Sequence, residues 1–257
     1  MTMAPPSYVK RLRSLVPGAL VAAVCPGIRR LERFARSLAA SLPQGSAVLD
    51  AGAGQCQYKK YFSSHRYVAM DAACGDKLWN YSNLDAVCDL ARLPCRDETY
   101  AGVLLTQVLE HVSEPQAVLD ELYRILRPGG LLYLSVPQSQ GEHQPPHDYF
   151  RYTRYGLSHL LEKAGFTVMD IHPECGFFEY LGNRMTVVPK ILFWQRRRRA
   201  CRIALLPLEL LSYVVFVGFC APLLNALDRL DTRRDFTLNY FATATKVTPG
   251  NASDDRA

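Results

Sequence analysis

Residues 46–57, Ser-Ala-Val-Leu-Asp-Ala-Gly-Ala-Gly-Gln-Cys-Gln, decide how the rest of the chain reads. Ala47-Val48-Leu49 is a short β-rich run ending on an acid, Asp50, and glycines follow at positions 52 and 54. This order predicts a strand that stops in a tight turn. Glycine at both places admits positive φ and lets a ligand approach the main chain without meeting a Cβ. The turn is expected to open a helix from Gln55 to about Ser63, with its unpaired N–H groups and positive dipole end facing the space above the strand. Position 57 is Gln, so the dinucleotide fingerprint G-x-G-x-x-G is broken and a nicotinamide-dependent oxidoreductase is disfavoured.

A second acid gives the turn its meaning. Arg66-Tyr67-Val68-Ala69-Met70-Asp71 is another strand pattern, and Asp71 lies about twenty residues beyond Asp50, where a carboxylate can accept hydrogen bonds from ribose hydroxyls. Two strands, a glycine turn and a ribose acid make a nucleoside site. Asp50-Ala51-Gly52-Ala53-Gly54 resembles the acidic-x-Gly-x-Gly motif of class I S-adenosylmethionine-dependent methyltransferases, in particular the methyltransferase type 11 branch. The usual third glycine is Cys56 here. The resemblance implies an α/β, Rossmann-like sheet of seven strands in the order 3-2-1-4-5-7-6, with helices on both faces and S-adenosyl-L-methionine as cofactor.

Further matches extend along the chain. Ala86-Val87-Cys88 predicts a brief strand, and Asp89-Leu90 resembles the family position that meets the adenine. Val103-Leu104-Leu105 runs into Thr106-Gln107 and Leu109-Glu110-His111, resembling the motif after the fourth strand, where backbone near Gln107 and Leu109 faces the methionine part of the cofactor. His111 is a candidate base, although the family uses this histidine more often to support the loop. Ser113 is read as the cap of a helix with Pro115 in its first turn, and Leu131–Pro137 as the fifth strand. The implied cofactor set is Asp50, Gly52, Gly54, Asp71, Asp89, Leu90, Gln107 and Leu109.

The loop 141–155, Gly-Glu-His-Gln-Pro-Pro-His-Asp-Tyr-Phe-Arg-Tyr-Thr-Arg-Tyr, follows the fifth strand, and loops there lie over the carboxyl edge where substrates bind. Pro145-Pro146 forbids a helix that would align His143 with His147, so no metal is expected. His147 with Asp148 reads as a general base; equally, Asp148 pairs with Arg151 to hold the loop shut. The stretch resembles one found in bacterial methyltransferases of glycan and lipid-linked pathways. Thr153 caps a helix closed by Gly165, Phe166–Ile171 is the sixth strand, and Phe236–Lys246 the seventh.

Composition bounds the remainder. The chain has 257 residues, 49% of them hydrophobic, enough for one full core with an insertion. Eight cysteines include no C-x-x-C, which suits reduced thiols in the cytoplasm. The net charge of +6 is concentrated in Arg196–Arg199 and Arg202. Because the basic residues form one cluster and no Asn/Asp-Pro-Pro-Tyr/Phe run follows the fourth strand, no nucleic-acid partner is expected.

Residues 1–45 are read as an N-terminal helical extension, 46–183 as the core, 184–235 as an apolar helical insertion, 236–248 as the last strand and 249–257 as a disordered tail. The apolar run 15–25 is short, broken by Pro17 and lacks an A-x-A site, so it reads as a packed helix and not a signal peptide. Residues 203–224 are long and apolar enough to span a bilayer, but a single crossing would separate the seventh strand from its sheet. A lid, a surface embedded in one leaflet and a dimer interface remain. Peripheral contact through 184–224 with the cytoplasmic membrane face is favoured, because the arginines abut the apolar run. The expected activity is methyl transfer to an oxygen of a small-molecule, glycan or lipid-linked acceptor. The alternative is a catalytically inactive binding or scaffold protein at the membrane.

Overall fold

The computed structural model describes residues 26–75, 78–193 and 205–247. The apolar run at 15–25, Trp194, the arginine cluster and the tail lie outside the described residues. The described chain forms two compact units, residues 31–172 with 239–247, and residues 26–30 with 173–238.

The first unit is a seven-stranded sheet in the order β3-β2-β1-β4-β5-β7-β6. Its strands are β1 (Ala47–Ala51), β2 (Arg66–Asp71), β3 (Ala86–Val87), β4 (Tyr100–Thr106), β5 (Leu126–Pro137), β6 (Phe166–Pro173) and β7 (Asn239–Lys246). The order is the one the family resemblance implies. β1 is buried along its whole length, as a central parallel strand covered on both faces must be. Alternation sorts its neighbours onto two faces. Val48 and Leu104 pack under α1 (Gly27–Ser41) on Ala35, Leu38 and Ala39, whereas Leu49, Val103 and Leu105 share a cluster with Val118, Leu119, Leu122 and Ile125 of α2 (Pro115–Ile125). β7 pairs antiparallel to β5, Leu132 opposite Ala244 and Leu134 opposite Ala242.

Three local expectations change. The helix expected from Gln55 is a string of turns ending in the 3₁₀ turn Lys59–Tyr61. Cys56 explains the break: it adopts φ 56°, a left-handed conformation that an α-helix of L-residues cannot carry. Ser113 does not cap α2; Glu114 occupies the N-cap without a side-chain bond, and Pro115 begins the helix. β5 starts earlier than the seven-residue run Leu131–Pro137 suggests, at Leu126. By contrast, α3 (Arg154–Lys163) has the expected cap, the Thr153 hydroxyl accepting from the Gly156 N–H at 3.1 Å.

The second unit is helical. α4 (Phe177–Met185) is capped by carboxylates: Asp228 accepts from the Gly176 and Glu179 N–H groups at 2.9 and 2.8 Å, and Asp231 from Phe177 at 2.7 Å. Arg30 grips Glu179 with both Nη atoms. α5 (Val188–Phe193) follows. A longer helix, α6, runs Leu206–Leu230, long and apolar enough by length and composition to cross a membrane, with 11% of its most apolar stretch buried. Pro222 does not break it. The preceding residues, Tyr213–Cys220, take π-helical spacing, which absorbs the carbonyl that a proline ring would strike four residues back.

Candidate active site

The carboxyl ends of β1, β2 and β4 open onto a cavity of about 660 Å³ within the first unit, the edge at which open α/β sheets bind ligands. That volume suits a small-molecule ligand. Each strand delivers one functional element to its wall.

From β1 comes the turn. Gly52 has φ 75°, and a Cβ there would lie 2.3 Å from Cγ2 of Val108. Gly54 has φ 52°, and its Cβ would stand 3.2 Å from the ring of Trp79. Gly52 is therefore required by backbone and by space, and at Gly54 a side chain would strain the turn and press on Trp79. Cys56, in place of a third glycine, holds the same left-handed region at a cost of about 1–2 kcal/mol.

From β2 comes Asp71. Its Oδ2 accepts the Gly54 N–H at 2.9 Å and its Oδ1 accepts the Ala73 N–H at 2.7 Å. Two main-chain donors fix the carboxylate against the glycine turn, and each oxygen keeps a second lone pair. After β3, Asp89 accepts from the Ala91 N–H at 2.9 Å, so it shapes its own turn while it lines the cavity beside Leu90. After β4, Gln107 sits at φ 55° and ties back to β5 through its N–H to the Ser135 carbonyl at 2.9 Å. A non-glycine residue held there stores of order 1 kcal/mol, as functional turns do.

The loop after β5 is laced to the turn after β4. Tyr149 N–H donates to the Glu110 carbonyl at 2.8 Å, Tyr152 Oη to the Leu109 carbonyl at 2.9 Å, and Tyr152 N–H to the Pro137 carbonyl at 2.9 Å. Arg151 clamps Asp148 with two bonds of 2.7 and 2.9 Å, and this pairing holds the Asp148 carboxyl down at about 2.

Of the residues singled out from sequence, Gly52, Gly54, Asp71, Asp89, Leu90, Gln107, His111 and His147 line the cavity. Asp50, Leu109 and Asp148 do not. Asp50 is a correction with a plain cause: its side chain points into the sheet and takes a 2.5 Å bond from the Tyr67 hydroxyl, and burial pushes its carboxyl up to about 7. Leu109 is fully buried and serves through its carbonyl. Asp148 is spent on Arg151 and on the His143 N–H, so it does not orient His147, whose Nδ1 stands 3.2 Å from the Tyr149 hydroxyl. Trp79 walls the turn beside Gly54. Glu110 is the residue that sequence reasoning passed over, since nothing local in the sequence marks it as buried. It is fully buried, and burial pushes its carboxyl up to about 8.

The profile of the methyltransferase domain family matches residues 49–134, the span that supplies β1 to β5 and most of the cavity wall. An Arabidopsis thaliana tRNA (carboxymethyluridine(34)-5-O)-methyltransferase is 31% identical over 111 residues, 40% of this chain and 26% of its own length. This chain thus spans about a quarter of that plant protein. An Escherichia coli tRNA 5-carboxymethoxyuridine methyltransferase is 27% identical over 68% of this chain and 76% of its own length. Among solved structures, a Burkholderia thailandensis 1,6-didemethyltoxoflavin-N1-methyltransferase shares the fold with TM-score 0.52 and 21% identity, over 96% of this chain and 92% of that one.

Enzymes named for tRNA among the relatives overturn the expectation that nucleic acid is no partner. That expectation rested on a missing motif and a single basic cluster. Neither limits the acceptor, because phosphate contacts that position an RNA need only a local basic surface. The matched span, the glycine turn with its acid and the strand order agree: residues 49–134 match the methyltransferase domain family, and the sheet has the fold of the solved methyltransferase it resembles.

Proposed function

We propose that the chain transfers the methyl group of S-adenosyl-L-methionine to an acceptor oxygen. The observation that carries the reading is the turn at Gly52 and Gly54, which lines the cavity with Val108 and Trp79 packed where side chains would stand, and which donates the Gly54 N–H to the carboxylate of Asp71. These residues fit the cofactor. The turn would take the amino-acid part, Asp71 has lone pairs for ribose hydroxyls, and Asp89, Leu90 and Gln107, which line the same cavity, would hold the adenine and the methionine end. When bound, the cofactor supplies a methyl group activated by a sulfonium.

The chain's own contribution is alignment and proton removal. The residues lining the cavity would hold an acceptor oxygen in line with that methyl group. A hydroxyl acceptor then sheds its proton to His147, which lines the cavity and is half-buried. An acceptor carboxylate needs no base. The relative named for 5-O-methylation supports oxygen as the acceptor atom, and RNA joins small-molecule, glycan and lipid-linked compounds among the acceptors to be tested.

The long helix α6 supports residence at a membrane's cytoplasmic face, since Leu208, Leu210, Leu211, Val214 and Phe219 are exposed along it. A single crossing conflicts with β6 and β7 bracketing it in one sheet, so the helix would lie in one leaflet. Flotation with anionic vesicles checks this; protein that stays at the bottom of the gradient refutes it.

Activity is tested with methyl-labelled S-adenosylmethionine offered to RNA, small-molecule and lipid extracts of cells lacking the gene. Label in one fraction, lost with His147→Ala, is expected. Cofactor binding without label in any fraction would favour the inactive binding protein.

A further inference from the structure

Where the turn Leu109–His111 meets the loop 141–152, three potential ligands converge. The Glu110 carboxylate is buried, and neither oxygen has a hydrogen-bond partner. Nε2 of His111 is also buried and unpartnered, 3.8 Å from Oε1 of Glu110. The His143 ring stands edge-on to that of His111, with centroids 4.6 Å apart. One ligating atom from each of the three residues lies within 4.8 Å of the others. His111 and His143 also line the cavity.

An unpartnered carboxylate buried beside an unpartnered imidazole nitrogen is costly unless a proton or a cation answers it. The imidazole orientations favour a cation. Nδ1 of His111 lies 2.5 Å from the His147 carbonyl, which can only accept, so Nδ1 carries the hydrogen and Nε2 keeps its lone pair. Nδ1 of His143 faces the Gly141 carbonyl at 3.1 Å in the same manner. Metal-binding histidines are oriented this way, one nitrogen tied to a carbonyl and the other free for the ion. The backbone of His143 is itself held by Asp148, which accepts its N–H at 2.8 Å and is clamped by Arg151.

We propose that Glu110, His111 and His143 bind a divalent first-row transition-metal ion at the edge of the cavity, with coordination positions left open toward the acceptor. Two imidazoles and one carboxylate suit Zn²⁺, Co²⁺ or Fe²⁺ better than Ca²⁺ or Mg²⁺, which prefer all-oxygen shells. An ion about 2.0–2.2 Å from each ligand would bring the three atoms to roughly 3.4 Å apart, which side-chain rotation within the loop supplies. The pair judged from sequence, His143 with His147, is not the one assembled; His143 pairs instead with residues that follow β4. Any part the ion plays in holding an acceptor oxygen rests on the methyltransferase reading. Ion binding does not.

The test uses the full chain, stripped with chelator and titrated with Co²⁺ without cofactor, read by visible d–d absorption. One saturable equivalent is expected. His143→Ala, in the half-buried loop, and Glu110→Gln should each weaken it about 100-fold or more, with circular dichroism unchanged. Folded wild-type protein that binds no Co²⁺ up to about 1 mM, or binding indifferent to both substitutions, overturns the site. Loss of cofactor binding with Co²⁺ binding intact would strike the methyltransferase reading alone.

Discussion

Replacing Asp50 by Asn should change how stability depends on pH more than it changes stability at any one pH. Asp50 is 1% exposed, and burial pushes its carboxyl up to about 7 from the ordinary 3.8. The Tyr67 hydroxyl pulls the other way, and the charge of Asp71 adds a smaller upward push. Between pH 3.8 and 7 the folded protein keeps a proton that the unfolded chain has lost. The residue's contribution is therefore fully present below about pH 4 and is lost as pH rises to 7, by about 4 kcal/mol at about 1.36 kcal/mol per pH unit. An amide does not titrate. It keeps an acceptor for Tyr67, and any cost of burying its N–H groups is the same at every pH. Urea unfolding of both proteins from pH 4 to 8 gives the difference directly. That difference should move in the variant's favour by about 4 kcal/mol across the range. A difference flat to within about 1 kcal/mol would mean that the carboxyl titrates normally and that the buried strand end is wrongly described.

Three further substitutions test other parts of the structure. Gly52→Ala forces a Cβ 2.3 Å from Val108 at φ 75°; it should cost about 2–4 kcal/mol in urea unfolding, and adding Val108→Ala should recover only the packing share. Asp148→Asn removes a carboxyl held at about 2 by Arg151, a stabilisation present above pH 4 and lost as pH falls through 2. It should raise proteolytic cleavage within 141–152 at pH 7 and leave S-adenosylhomocysteine affinity within about threefold; unchanged cleavage would deny the clamp. Asp228→Ala strips acceptors from the Gly176 and Glu179 N–H groups and should lower stability by about 2–4 kcal/mol, measured by thermal unfolding.

Much of the first unit was legible because its signals are local. Val48, Leu49 and Asp50 followed by Gly52 form a strand, an acid and a turn within seven residues, and the antiparallel last strand announced itself through Thr, Tyr and Phe at 237–243. What stayed hidden depends on where side chains point. Asp50 and Asp71 look alike in sequence, yet the first faces Tyr67 inside the sheet and the second faces the turn. Whether Cys56 could replace a glycine was a question of φ, and the left-handed turn it adopts removed the helix expected after Gly54. The convergence of Glu110 and His111 with His143 depends on how a long loop folds back, through Tyr149, Tyr152 and Arg151, onto the turn after β4. No periodicity encodes that.

Titration calorimetry with S-adenosylhomocysteine, on wild-type protein and on Asp71→Ala, addresses the nucleoside pocket most directly. One site per chain is expected for the wild type, and the variant should lose at least about 100-fold in affinity, because two charge-assisted hydrogen bonds at about 1.5–3 kcal/mol each disappear. Folded wild-type protein that gives no heat, or a variant that binds as tightly, would contradict the assignment of this cavity.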